Sequence, residues 1–202
     1  MLERLRSELA WHWATGLQVL RLTSPWVLFA PAIAAFVIYL LNRNAAIAPF
    51  LTKEAAEISS PIVLAVPLAL SAWMAATRPP VYYKWLTLMA LALFLRELHL
   101  PGTNTGFYIA FPLLLIWASY ARERLEPFIS SRKIVTLLMT IIWIYLVSKT
   151  FDRHAWNSVL PAGTTSDLFE ENLELIGHLL FLALVIVSMA VEAEAPAVSR
   201  SP

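Results

Sequence analysis

Residues 169–190 read Phe169-Glu-Glu-Asn-Leu-Glu174-Leu-Ile-Gly-His178-Leu-Leu-Phe-Leu-Ala-Leu-Val-Ile-Val-Ser-Met-Ala190. After His178 the stretch is continuously apolar apart from Ser188. It is also close to the roughly 20 residues a helix needs to cross about 30 Å of hydrocarbon. It does not alternate as a barrel strand would. Lipid offers no partners to backbone N–H and C=O groups, so a spanning segment of this kind is a helix.

Working outward, similar runs recur. Segment one covers roughly 25–42, with Ser24 as N-cap, Pro25 as first helical residue and Pro31 inside. Segment two covers roughly 61–77, read as starting at Ser60-Pro61 and containing Pro67. Segment three covers 81–98 and stops before Pro101-Gly102. Segment four covers 106–121 with Pro112 inside, and segment five covers 133–151. Only 14% of the 202 residues are charged and 59% are hydrophobic, well away from the quarter charged of a soluble domain. The fold class is therefore all-α: a polytopic transmembrane helix bundle with six crossings.

Ahead of the first crossing, Leu2, Leu5, Leu9, Trp13, Leu17 and Leu20 recur every three to four residues, with Arg4, Glu8 and His12 on another face. This predicts an N-terminal amphipathic interfacial helix within 1–24. The transmembrane domain takes 25–191, and 192–202 is a polar cytoplasmic tail expected to be disordered. No cleavable signal peptide is expected, because the first strongly apolar run begins near Pro25.

The absence of cysteine excludes disulfides, Fe–S clusters and thiolate metal sites. A net charge of +1 gives no case for nucleic acid. The expected partners are the lipid bilayer and other membrane subunits or a second copy of the chain. With the N-terminus inside, 10 of the 15 Lys and Arg residues fall on the cytoplasmic side. Trp26, Trp73, Trp85, Trp117 and Tyr120 mark the inner ends, and Tyr39, Tyr108 and Trp156 the outer ends. Both termini are accordingly expected in the cytoplasm, with the chain in a bacterial inner membrane.

This topology gathers the reactive side chains at one end. Glu97 and His99 follow segment three, Asp152 and His154 follow segment five, and Glu170, Glu171, Glu174 and His178 open segment six. Glu170, Glu174 and His178 share a helix face at spacing four, as do Glu171, Glu174 and His178 at three and seven. Tyr145, Ser148 and Asp152 share a face of segment five. The connection from Lys149 to Glu174 carries five acids against two bases, so Arg96 or Arg153 would pair with acids rather than bind phosphate.

Three chemistries fit this set. A divalent metal could be held by His99, His154, Glu171, Glu174 and His178, although no compact ligand motif is present. Glu174, His178, Asp152 and Glu97 could supply acid–base groups. Alternatively the acids could favour the positive end of the helix dipole while the histidine bonds a neighbouring helix.

The pieces Arg96-Glu97-Leu98-His99, Phe107-Tyr108, Asp152-Arg153-His154 and Glu170-Glu171…Glu174-Leu175-Ile176-Gly177 together resemble a family of small bacterial multipass membrane proteins with no settled activity. The resemblance covers about the last half of the chain. That family's pattern often places an acid where this chain has His99, so no fixed role transfers to that position. A looser analogy runs to membrane hydrolases of the alkaline-ceramidase type, which hold zinc with histidines inside a seven-helix bundle. Those carry a histidine pair on the last helix, where this chain has His178 alone.

Three functions follow as expectations. The first is a non-catalytic accessory or scaffold subunit. The second is an extracytoplasmic-facing, metal-dependent hydrolase of a lipid-like substrate, with Glu97, His99, Asp152, Glu174 and His178 around an activated water. The third is a small proton-coupled permease using Glu174 and His178 as a relay.

Overall fold

The computed structural model describes residues 2–79 and 81–194. Among these residues all regular structure is helical. Helix α1 spans Leu2–Leu22, α2 Ala30–Asn42, α3 Lys53–Thr77, α4 Val81–Glu97, α5 Thr103–Tyr120, α6 Arg122–Ile129, α7 Arg132–Asp152 and α8 Ser166–Glu194. Short 3-10 helices at Pro25–Phe29 and Ala48–Phe50 precede α2 and α3.

Four stretches are long and apolar enough to cross a membrane: Pro25–Asn42, Lys53–Thr77, Arg132–Asp152 and Ser166–Glu192. The apolar part of α5, Gly106–Tyr120, is shorter. Helix α4 has 17 residues and carries Lys84, Arg96 and Glu97. By length and composition, then, four of the described helices are able to cross a membrane, against the six expected.

Helix α8 is the centre of the bundle, packed most extensively on α7 and then on α3. Helix α4 packs on α3 and α5, and α2 on α7 and α8. The core holds Leu64, Met74, Tyr83, Leu86, Phe181 and Leu184, all nearly inaccessible. Large apolar side chains such as Phe36, Ile62, Leu113 and Ile116 point outward, the inverse of a soluble surface.

Several boundaries differ from the hydropathy reading. Helix α3 begins two turns earlier than Ser60-Pro61, capped by Thr52, whose Oγ1 accepts from the Ala55 N–H at 3.3 Å. Its opening turns are polar, with Lys53 and Glu57 3.9 Å apart on one face, so an apolar window misses them. Pro61 therefore lies inside the helix, not at its start. Helix α6, between α5 and α7, was absent from the expected elements. Its Phe128 stacks on Tyr82 with ring centroids 4.0 Å apart.

The boundary placed at residue 192 also moves. Glu192 is helical and bonded to Arg78 and Tyr83, so the start of the expected tail belongs to α8. The expectation of disorder for 195–202 lies outside the described residues. The expected N-terminal helix is present as α1. It sits beside α5–α7, with Ser119 Oγ 3.4 Å from His12 Nε2 and the Arg122 guanidinium 4.4 Å above the Trp11 ring.

Candidate functional site: a buried ionic cluster at one end of the bundle

The antiparallel order of helices brings the C-terminal ends of α4 and α7 to the N-terminal end of α8. There Glu174, buried on the inward face of α8, meets cations from both neighbours. Arg96 Nη2 on α4 donates to Glu174 Oε1 and Oε2 at 2.9 and 2.8 Å. Lys149 Nζ on α7 lies 3.0 Å from Oε1. Ser148 Oγ donates to the same oxygen at 3.2 Å. Three helices are thus joined through one carboxylate. The geometry is that of strong, charge-assisted hydrogen bonds.

Lys149 also reaches Glu170 at 3.1 Å and Asp152 at 3.3 Å. The Arg96 guanidinium lies 5.7 Å from the Phe107 ring centroid, within cation–π range. Phe107 in turn lines an apolar cleft of about 600 Å³ between α4 and α5, together with Leu91, Leu95 and Ala110.

One turn deeper on α8 the situation changes. His178 is fully buried, and neither ring nitrogen has a hydrogen-bond partner among the described residues. Glu97 Oε1 lies 3.7 Å from Nε2. The same oxygen is 3.7 Å from Arg96 Nη1. Both distances exceed ordinary hydrogen-bond range. The Tyr145 ring lies 5.8 Å from the imidazole, and its buried hydroxyl has no partner among the described residues. Gly177 makes room for that ring: a Cβ there would come within 3.0 Å of it.

The structure brings Glu97, Glu174 and His178 together, as their common end and spacing implied. It does not do so for the rest. Asp152 is half exposed and touches the cluster only through Lys149. Glu171 turns toward α3, 3.7 Å from Lys53.

His99 and His154 are exposed residues that terminate helices. Each has a left-handed backbone, with φ of 50° and 55°. After α7, the His154 N–H donates to Phe151 O at 2.8 Å and the Ala155 N–H to Thr150 O at 3.1 Å. This is the bond pair of a Schellman end. After α4, the His99 N–H donates to Arg96 O at 3.1 Å, and its Nδ1 lies 2.8 Å from Glu97 O. Histidine tolerates this backbone better than most side chains, which accounts for both positions without a ligand role.

Among the described residues no three acid or histidine side chains converge with metal-ligand geometry. The five residues proposed as ligands from sequence do not form one set. Sequence reasoning placed Lys149 in the acidic connection but did not identify it as a partner of Glu174. Its position one residue after Ser148, on the face shared with Tyr145, was the available signal. No protein-family model, curated protein or solved structure matches this chain.

Proposed function

We propose that this chain is a six-crossing inner-membrane protein with a non-catalytic role as an accessory or scaffold subunit. In this reading α4 and α5 cross beside the four longer helices, α4 packed on α3 and α5 on α4. The distribution of Lys and Arg supports cytoplasmic termini, with the ionic cluster facing the extracytoplasmic side.

The observation that carries the reading is the pairing of Glu174 with cations from two other helices. Its Oε1 takes bonds from Arg96 and Ser148 and the ammonium of Lys149, and its Oε2 takes a second bond from Arg96. These contacts tie α8 to α4 and α7, which is what a clamp requires. The exposed apolar faces of α2 and α5 are left for lipid or for another subunit.

The test is to remove the charges and keep the volume: Arg96→Met, Lys149→Met and Glu174→Leu together. Replacing a buried ionic group with apolar side chains of similar size is often neutral or stabilising. If the cluster is a clamp, the triple variant stays monodisperse and complements a strain lacking the native gene. A folded triple variant that fails to complement would overturn the reading. Orientation is tested separately. Ala162→Cys, in the exposed α7–α8 connection, should react with an impermeant thiol reagent in intact cells. Protection of that cysteine until the cells are opened would reverse the topology.

A further inference from the structure

The clamp leaves a second group of side chains unexplained. His178 Nδ1, His178 Nε2 and Tyr145 Oη are buried and have no hydrogen-bond partner among the described residues. Native proteins seldom leave such atoms orphaned, since each costs about 1–3 kcal/mol of desolvation. All three lie between α7 and α8, against Glu97 of α4. Ionisable side chains at membrane depth that face protein are functional by default.

We propose that Glu97, His178 and Tyr145 form a buried proton-binding site, in which Glu97 and His178 share one proton taken from bulk water. The separation of 3.7 Å between Glu97 Oε1 and His178 Nε2 closes to a hydrogen bond with a small side-chain shift, or is bridged by one water molecule. The shared proton sits on Glu97 and is donated to Nε2, or sits on Nε2 and is donated to the carboxylate. In either form the pair gains one positive charge and hydronium becomes water. Tyr145 supplies a neutral hydroxyl beside the imidazole.

Charge balance selects a proton over a metal ion. Facing the site are Arg96 and Glu97 from α4, His99 just beyond its end, Tyr145 and Lys149 from α7, and Glu170 and Glu174 from α8, with both histidines counted as neutral. Lys53 and Glu57 of α3 are turned to Glu171 and to one another, and Arg43, which caps the end of α2, pairs with Tyr39. Asp152 is half exposed and solvated. Two cations thus oppose three carboxylates, which leaves one negative charge beside a neutral His178. One proton cancels it. A divalent ion would reverse it, with Arg96 and Lys149 close enough to repel the incoming charge.

This inference is independent of the clamp, whose test reads complementation and folding rather than proton uptake. It is tested by pH-dependent difference infrared spectroscopy on the purified chain in lipid nanodiscs. The expected result is a carboxylic-acid C=O band that shifts in D₂O, disappears in Glu97→Gln, moves in His178→Gln and is unchanged in Asp152→Asn. A companion measurement needs no substitution. In ¹⁵N-histidine spectra, His178 is identified as the resonance that a water-soluble paramagnetic agent does not broaden, because His12, His99 and His154 are exposed. That resonance should move over the same pH range as the infrared band. Three results would overturn the proposal: no carboxylic-acid band at any pH where the helices stay folded, a spectrum from which Glu97→Gln removes no band, or stoichiometric zinc binding that abolishes the band.

Discussion

Helix α8 carries a carboxylate near each end, Glu174 buried and Glu192 partly buried, and the two are handled differently. At the C-terminal end Glu192 accepts from Arg78 and from Tyr83, each at 2.7 Å. Close by, the Tyr82 hydroxyl lies 3.0 Å from Ser188 Oγ, which itself donates to Leu184 O. Polar groups there find partners, and Arg78 keeps access to water with 36% of its side chain exposed. At the N-terminal end Glu174 is at least as well satisfied and is more deeply buried. Yet Glu97, His178 and Tyr145 lie just beneath it with little or no partnering. An ion-paired carboxylate is common to both ends, so it does not mark a site. Among the described residues, unmet hydrogen-bonding capacity beneath a clamp is found only at one.

The difference predicts a graded response to substitution. Glu174→Leu leaves the buried Arg96 and the partly exposed Lys149 without their main partner, and should cost about 3–5 kcal/mol, read as a large fall in the thermal midpoint in nanodiscs. A shift no larger than that of Glu192→Gln would erase the contrast between the two ends. Gly177→Ala comes next. The new methyl must displace the Tyr145 ring from α8, and overpacking of this kind costs about 1–3 kcal/mol. An unchanged midpoint would mean that α7 and α8 are less closely fitted than their 3.0 Å approach implies.

Glu192→Gln should cost about 1 kcal/mol or less, because its cation is partly solvated and such pairs contribute little. The smallest effect has the opposite sign. His154→Gly relieves a left-handed backbone and should raise stability by about 0.5–1 kcal/mol, with complementation unchanged. Loss of complementation there would return His154 to the list of functional residues.

These expectations also measure what could be read before the structure. The common end of the acids and histidines was legible because residues flanking antiparallel helices must meet at one end or the other. The shared face of Glu174 and His178 followed from their spacing of four. What could not be read was which cation reaches Glu174. Arg96 lies 78 positions away in sequence, and its approach depends on the rotation of α4 against α8, which hydropathy does not encode. His99 and His154 read as ligands because their residue type suggests coordination, whereas their backbone conformation makes them helix ends. Glu192 read as tail because the apolar run has ended there. In the bundle Arg78 and Tyr83 supply the partners that keep it helical. The polar opening turns of α3 were missed for a related reason: a helix can continue beyond the hydrocarbon that made it detectable.

The most direct test of the clamp is a double-mutant cycle on Arg96→Met and Glu174→Leu, with unfolding followed in nanodiscs. Each single variant strands a buried charge, and the double variant leaves Lys149, which keeps Glu170 at 3.1 Å, and Glu97, which loses its 3.7 Å contact with Arg96 as it already does in the Arg96→Met single variant. The account predicts a double variant closer to the parent than the sum of the single losses, with a coupling of about 2–3 kcal/mol. Strictly additive losses would show that Arg96 and Glu174 do not hold α4 to α8, and would contradict it.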